Sequence, residues 1–267
     1  MKKMQVWKGS RNMKPLEIKH RVIGGGEPLI CVPVVEQDAQ SVIREITYLS
    51  QSTADMIEWR VDAFRDFTDY NAIRSVFEAV APLLGEKLFL YTFRTAHQGG
   101  MAQMKAEQLD DLHDLAAESG CVDLVDLEFF EEDRPLHKIK RLREMGVSVI
   151  ASHHDFEQTP SPEVMKMLLE KMCAGGADIV KLAVMPQNYK DVLNLLDVTA
   201  QFREENPDTP VITMSMGSLG GISRISGETF GSCVTFGAHE KPSAPGQFAM
   251  KELRQMLDTI HASSQIQ

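Results

Sequence analysis

The sequence predicts an α/β fold, a (β/α)8 barrel, and two observations support this. Eight short apolar runs recur at intervals of about 30 residues along the chain of 267 residues. Segments with the helical spacing of apolar residues separate these runs. Alternation of strands and helices produces parallel strands covered by helices, and eight such units fit a barrel of about 250 residues.

The eight apolar runs are the predicted barrel strands. They cover residues 29–35, 56–61, 88–93, 122–129, 147–152, 179–184, 211–216 and 233–238. A doubly wound sheet is the competing fold, and it would carry a glycine fingerprint after its first strand. The residues that follow the first run, EQDAQS at 36–41, contain no glycine. The barrel is therefore the better interpretation.

Residues 1–27 are predicted to form an extension that precedes the barrel, and residues 28–267 are predicted to form the barrel itself, within a single domain overall. The stretch 16–26, LEIKHRVIGGG, alternates apolar and polar residues and then ends in three glycines. Alternation followed by a turn signal is typical of a β-hairpin. We expect this short hairpin to close one end of the barrel, and we expect the glycines to form a turn.

Composition excludes several classes of function. With 28 Lys and Arg against 38 Asp and Glu, the net charge is −10, which argues against binding nucleic acid through phosphates. The sequence has no run of 18 apolar residues, so we expect no membrane-spanning helix. The first residues lack the apolar core of a signal peptide. The four cysteines are far apart and form no CxxC pair, so we expect reduced thiols in a cytoplasmic protein.

Charged side chains gather at the carboxyl ends of the predicted strands, which form the catalytic face of a barrel. Residues i and i+2 of a strand point to the same side. The pairs that share a side are Glu58 with Arg60, Thr92 with Arg94, Asp126 with Glu128, Ser152 with His154, Lys181 with Ala183, and Met214 with Met216. Isolated buried charges cost several kcal/mol. Such a ring therefore indicates either structural ion pairs or a functional site.

Lys181 and His154 suggest a specific chemistry. Lys181 lies within the apolar run IVKLAV, and lysine is rarely buried without a function. A desolvated lysine can present a neutral amine to a carbonyl and form an imine, which makes a neighbouring C–H acidic. His154 could remove that proton, with Asp126 or Glu128 holding its tautomer. Neither HxH nor HExxH is present, so we expect no metal and no cofactor.

Seven short strings, in this order, resemble the type I 3-dehydroquinate dehydratase (3-dehydroquinase) family. They are EWRVD at 58–62, TFR at 92–94, DLE at 126–128, SHHDF at 152–156, KLAVMP at 181–186, MSMG to SR between 214 and 224, and SAPGQ at 243–247. The resemblance extends from about residue 18 to residue 262. It implies a (β/α)8 barrel, usually a homodimer. It also implies dehydration of 3-dehydroquinate to 3-dehydroshikimate in the shikimate pathway of aromatic amino acid biosynthesis.

The resemblance also implies residue roles. Lys181 would capture the C3 ketone as a Schiff base, and His154 would remove the C2 proton and then help to expel the C1 hydroxyl as water. Asp126 would position the histidine, and Arg224 would grip the substrate carboxylate. The remaining candidates are Ser243 and Gln247 in a loop over the carboxylate, Glu58, Arg60 and Arg94 at the ring hydroxyls, and Met214 and Met216 lining the pocket.

Two positions depart from the family pattern. Pro33 lies at the end of the first strand, where relatives often carry a small polar residue. The family commonly has a glutamate four residues after the TFR arginine, and this chain has Gln98 there, in FRTAHQGG. That glutamate is understood to pair with the catalytic histidine. We therefore expect Gln98 to help position His154. An amide keeps the shape and the hydrogen bonding of a carboxylate but loses its charge, so the basicity of His154 is expected to change.

Two other functions remain open. The chain could be another imine-forming barrel, such as an aldolase for phosphorylated sugars, with the glycine-rich loop 217–221 as its phosphate site. Arg224 favours a carboxylate in that place instead. Alternatively, the chain could be a dehydroquinase-like relative that binds quinate-like ligands with weakened turnover because of Gln98.

Overall fold

The computed structural model describes residues 16–264. A two-stranded antiparallel hairpin comes first, with strands β1 (Leu16–Ile18) and β2 (Arg21–Ile23). Eight parallel strands follow. They are β3 (Leu29–Val34), β4 (Met56–Arg60), β5 (Leu88–Thr92), β6 (Leu124–Glu128), β7 (Ser148–Asp155), β8 (Ile179–Val184), β9 (Val211–Ser215) and β10 (Val234–Phe236). From β3 to β9 each strand pairs with the next in sequence, and β10 pairs with β3. A single bridge between Val211 and Ser232 links the two remaining edges, so the barrel is nearly closed. The predicted barrel is confirmed.

Helices cover the outside of the barrel. They are α1 (Ala39–Ser50), α2 (Tyr70–Val80), α3 (Ala106–Glu118), α4 (Pro135–Glu144), α5 (Pro162–Ala174), α6 (Tyr189–Glu205), α7 (Gly221–Ile225), α8 (Gly227–Phe230) and α9 (Met250–Ser264). Several begin at side chains that accept hydrogen bonds from the first free backbone N–H groups, as Asp38, Asp69 and Asn188 do. Such caps stabilise a helix start. Among residues 16–264, none of the helices is both long enough and apolar enough to cross a membrane.

The barrel interior is divided along its axis. Every second strand residue points inward, and those near the amino ends of the strands are apolar. They form one buried cluster that includes Cys31, Met56, Leu88, Leu124, Ile150, Ile179 and Ile212. The inward residues at the carboxyl ends are largely charged, among them Arg60, Glu128 and Lys181. The apolar half packs tightly, so polar chemistry is confined to the other end.

The hairpin closes the apolar end of the barrel, as predicted. Ile23 is fully buried in the interior cluster. Arg21 pairs with Asp55 at 3.0 Å, and Lys19 pairs with Asp123 at 2.8 Å. Gly24 turns the chain toward β3 with a φ of 90°, a conformation that favours glycine. The first 15 residues of the predicted extension lie outside the described part of the chain.

Candidate active site

A cavity of about 450 Å³, including its open mouth, lies at the carboxyl ends of the barrel strands. The candidates that line it are Glu58, Arg60, Arg94, Gln98, His154, Lys181, Met214, Met216, Ser243 and Gln247. Asp126 and Arg224 lie behind this lining and contact residues within it. The structure therefore gathers all the sequence-predicted site residues around one cavity.

Lys181 projects from the middle of β8 toward the cavity. Its side chain is only 4% exposed. The ammonium Nζ lies 3.1 Å from Asp126 Oδ2 and 4.5 Å from the centre of the Phe236 ring. An aromatic face attracts a cation at this distance. A carboxylate and a ring therefore fix the direction of this amine within the barrel.

Asp126 is the centre of a buried network of charges beneath the cavity. Arg94 Nη2 lies 2.8 Å from Asp126 Oδ1, and Arg94 Nη1 donates to Glu128 and to Ser152, each at 3.0 Å. The Ser152 hydroxyl donates to Asp126 at 2.6 Å. Burial alone would raise the pKa of Asp126, but Arg94 and Lys181 outweigh it and hold that pKa below its usual value. Asp126 is thus ionised at neutral pH.

The expectation that Asp126 or Glu128 holds His154 is corrected by the strand register. Asp126 pairs with Ile150 on β7, four residues before His154. At the rise of a β-strand, four residues correspond to about 13 Å along β7. The oxygens of Asp126 are engaged by Lys181, Arg94 and Ser152 instead. Those of Glu128 accept from Arg94 and Thr95. The role of Asp126 is to hold the amine and the guanidinium.

Gln98 is the residue that contacts His154. Its Oε1 accepts a hydrogen bond from the backbone N–H of His154 at 2.9 Å and lies 3.0 Å from the ring Nδ1. The backbone donor fixes which end of the amide faces the histidine. An amide oxygen only accepts, so Nδ1 carries the hydrogen and Nε2 keeps a free lone pair. Gln98 therefore selects the tautomer in which Nε2 can act as a base.

His154 is held neutral by its surroundings. Burial lowers its pKa well below the usual value, and the positive charges of Arg94, Lys181 and Arg60 lower it further. Phe156, on the other side of the ring, stacks with it at a centroid distance of 6.5 Å. A Cβ on Gly99 would lie 2.4 Å from Phe156, so only glycine allows this approach. Sequence reasoning did not single out Phe156 or Gly99 as site residues.

Two further pairs lie in the wall formed by β4 and β5. Arg60 binds Asp62 through two hydrogen bonds of 2.8 Å, and Glu58 accepts from Thr92 at 2.8 Å. Asp62 also accepts from the backbone N–H of Arg94 at 3.1 Å. These contacts hold one cation and one carboxylate in fixed positions at the cavity, where both can bind hydroxyl groups of a ligand.

Arg224 differs from the other cations of the site because it has no carboxylate partner among residues 16–264. The residue is 1% exposed. It donates to the carbonyl oxygen of Pro245 at 2.9 Å and to that of Phe236 at 3.5 Å, and its Nε is unpartnered within the described chain. Burial lowers its pKa to about 10, so it stays charged at neutral pH. A buried cation with spare donors suits an anionic ligand.

A second group of charged residues lies apart from the cavity. Asp110 and His113 on α3 and Glu132 before α4 have oxygen and nitrogen atoms close enough together to hold a metal ion. The ammonium of Lys138 contacts both carboxylates, so a cation of the chain itself already lies between them. Burial and the nearby Lys138 charge lower the pKa of His113 to about 4. This arrangement is an internal ion pair.

Comparison with known proteins agrees with this geometry. The family model of type I 3-dehydroquinase matches residues 30–264. The chain belongs to the type I 3-dehydroquinase family. A 3-dehydroquinate dehydratase of Syntrophotalea carbinolica is 41% identical over 250 residues, which are 93% of this chain and 99% of that protein. One of Listeria monocytogenes is also 41% identical, with the same shares covered.

Solved structures of the 3-dehydroquinase family match the fold closely. The type I 3-dehydroquinate dehydratase of Clostridium difficile, solved with covalently modified comenic acid, has a TM-score of 0.91 at 38% identity. The alignment covers 94% of this chain and 100% of that one. The enzyme of Geobacillus kaustophilus has a TM-score of 0.91 at 35% identity and covers 94% and 98%. The barrel of the 3-dehydroquinase family is therefore present in full.

The contact between Gln98 and His154 predicts how pH acts on the site. Gln98→Glu places a carboxylate beside Nδ1, which favours the imidazolium and raises the pKa of His154. The acidic limb of the pH–rate profile then moves to higher pH, and we expect the rate to rise by up to about tenfold, part of the usual gain from acid–base help. NMR titration of the ring and a pH–rate profile measure the two effects. Gln103→Glu, an exposed change of equal charge, is the control. An unmoved His154 pKa contradicts the pairing.

Proposed function

We propose that this chain dehydrates 3-dehydroquinate to 3-dehydroshikimate, a hydro-lyase step of the shikimate pathway, with Lys181 as the imine-forming nucleophile and His154 as the acid and base. One observation carries the proposal. A buried amine and a neutral imidazole line the same cavity, and behind it lies an arginine free to bind a carboxylate. Membership of the 3-dehydroquinase family supports the reaction.

The first chemical step uses Lys181. The ammonium gives up a proton, and the amine so formed attacks the C3 ketone. The carbinolamine takes a proton back on its oxygen and loses water, which leaves a protonated imine. The nitrogen is positively charged as the ammonium and again as the protonated imine, so Asp126, 3.1 Å away, is its counter-ion in both states. The Phe236 ring, at 4.5 Å, stabilises the same charge.

The second step uses His154. Its Nε2 takes the C2 proton, and the electrons of that C–H bond move into the imine to form an enamine. The imidazolium then gives the proton to the C1 hydroxyl, the C1–O bond breaks, and water leaves. Hydrolysis of the product imine by another water restores the Lys181 amine, so one water is lost in total. Gln98 keeps the ring oriented throughout by accepting from Nδ1–H.

The remaining residues bind the substrate. Arg224 holds the carboxylate, because it is the buried cation that no described carboxylate neutralises. Ser243 and Gln247 lie in the loop above it and brace each other at 2.8 and 3.0 Å. The ring hydroxyls meet Glu58, Arg60 and Arg94, and the apolar side of the ring lies against Met214 and Met216.

Gln98 supports a second candidate, a relative with weakened turnover. Once His154 has taken the C2 proton, an amide stabilises the imidazolium less than a carboxylate does. The ultraviolet absorbance of the conjugated enone product distinguishes the two, since binding of 3-dehydroquinate without this absorbance favours the weakened relative.

The imine predicts a covalent trap. Incubation with 3-dehydroquinate and borohydride is expected to inactivate the protein and to add one reduced ligand to the peptide that contains Lys181, as measured by mass spectrometry. Lys181→Ala removes the labelling, and Lys190→Ala, a change of an exposed lysine on α6, leaves it intact. Labelling of a different lysine would falsify the assignment of the nucleophile.

The carboxylate contact predicts a binding defect. Arg224→Lys keeps the charge but loses the planar fork, so KM rises while kcat changes less. A charged hydrogen bond contributes about 1.5–3 kcal/mol, so KM is expected to rise by about tenfold to about a hundredfold. Steady-state kinetics measures this, with Arg44→Lys on the exposed side of α1 as the control. A wild-type KM in Arg224→Lys means that the carboxylate binds elsewhere.

We also propose that the protein is a cytoplasmic homodimer. Its four cysteines are all free thiols, as in a reducing compartment, and cell fractionation tests the cytoplasmic location.

Exposed apolar side chains that could form the dimer interface lie on the consecutive helices α4, α5 and α6, namely Leu136, Val164, Met167, Tyr189 and Leu193. Sedimentation equilibrium is expected to give the mass of two chains. Leu193→Glu is expected to give one, whereas Val22→Glu, an exposed control on the hairpin, still gives two. A single-chain mass for the wild type rejects the dimer.

A further inference from the structure

The loop of residues 239–248 joins β10 to α9 and brings Ser243 and Gln247 to the cavity. Its two ends are fastened together by the backbone. The N–H of Ala238 donates to the carbonyl of Phe248 at 2.9 Å, and the N–H of Met250 donates to the carbonyl of Ala238 at 2.8 Å. The base of the loop is therefore fixed, and its tip depends on other contacts for its position.

The inner side of the loop is held by residues of the site. Pro245 accepts hydrogen bonds from Arg224 at 2.9 Å and from the backbone of Gly217 at 3.2 Å. A Cβ on Gly246 would lie 2.3 Å from the Gly217 oxygen, so the two segments touch. A substrate carboxylate would bind the spare donors of the same guanidinium that now holds Pro245. A ligand that turns the guanidinium toward itself would therefore weaken this inner contact.

The outer side of the loop is held by helix α1. The His239 ring stacks on Tyr48 with a centroid distance of 3.9 Å and an angle of 15°. Its Nδ1 lies 2.7 Å from Glu45 Oε1, and the two side chains are only 22% and 19% exposed. None of these three residues lines the cavity. Unlike the contact of Pro245 with Arg224, the contact of His239 with Tyr48 and Glu45 uses no donor or acceptor that binds the ligand.

We propose that Glu45, Tyr48 and His239 form a latch that keeps the loop 239–248 over the cavity while Arg224 turns its donors to the substrate. The three residues are positioning residues, because they act only through the loop. The proposal rests on the proposed function in one respect, namely that a substrate carboxylate binds Arg224. Without the latch, binding that carboxylate would free the tip of the loop and withdraw Ser243 and Gln247 from the ligand.

The latch predicts a split between binding and chemistry. His239→Ala removes both the stacking and the pairing, so the loop opens more often and KM for 3-dehydroquinate rises by about tenfold. The chemistry on Lys181 and His154 is untouched, so kcat stays within about twofold. In the free protein, hydrogen exchange measured by mass spectrometry becomes faster in residues 239–248.

Two conservative variants separate the parts of the latch. His239→Phe keeps the stacking on Tyr48 and loses the bond to Glu45, whereas Glu45→Gln keeps an acceptor and loses the charge. Both are expected to lie between the wild type and His239→Ala in KM and in exchange rate. His261→Ala is the matched control, because it breaks a histidine–glutamate contact of 3.0 Å, to Glu228, away from the loop. If the His239→Ala variant does not fold, Tyr48→Leu on the surface of α1 is measured in its place.

The outcomes separate this proposal from the proposed function. A wild type without dehydratase activity overturns the proposed function, and the exchange of residues 239–248 still tests the latch because it needs no substrate. Unchanged loop exchange in His239→Ala overturns the latch. So does a variant whose kcat falls while its KM stays constant, because the three residues would then act on the chemistry.

Discussion

The buried carboxylate of Asp126 is the interaction on which the rest of the site depends. Removing a charge from water costs several kcal/mol unless partners compensate. Asp126 lies between two cations, Lys181 and Arg94, and each of the three would be unstable at its position without the others. Glu128 and Ser152 complete the hydrogen bonds of Arg94. The network therefore fixes the direction of the amine before any ligand enters.

This arrangement follows from how the barrel divides its interior. The amino ends of the strands fill the barrel with apolar side chains, and the hairpin seals that end with Ile23. Water is thus excluded from below, which makes charge pairing stronger at the level above. The same strands carry both layers, so the stability of the apolar half supports the geometry of the charged half.

The fold and the charged ends of its strands were predictable from local patterns, whereas the other site residues, Arg224, Ser243, Gln247 and Gln98 among them, came from the family resemblance. Apolar runs that recur at intervals of about 30 residues placed the barrel strands, and the polar residues that end them marked the catalytic face. The partner of His154 was harder to predict. Adjacency of strands suggested Asp126, but the register places Asp126 level with Ile150. Register in a barrel is set by the stagger of all strands together, which no single segment encodes.

The contacts that loops make with distant residues could likewise not be predicted from the sequence. Pro245 accepts from Arg224, and His239 stacks on Tyr48, about 190 residues earlier in the chain. No periodicity links such positions, because loop geometry depends on the ends that the barrel supplies. Phe156 belongs to the string SHHDF at 152–156, which the sequence analysis used. Its packing on Gly99 could not be predicted, because it depends on the path of the β5–α3 loop.

The charges of the site explain how an acidic protein can hold an anion. The carboxylates of Asp62, Asp126 and Glu128 are already bound to chain donors, so they offer little to a ligand. The cations act on the cavity more directly. Arg94, Lys181 and Arg60 all lower the pKa of His154, which shows that their field reaches the imidazole. Arg224 adds a charge that no described carboxylate opposes. A net charge of −10 describes the surface as a whole, whereas the potential in a cleft is set by the groups that line it.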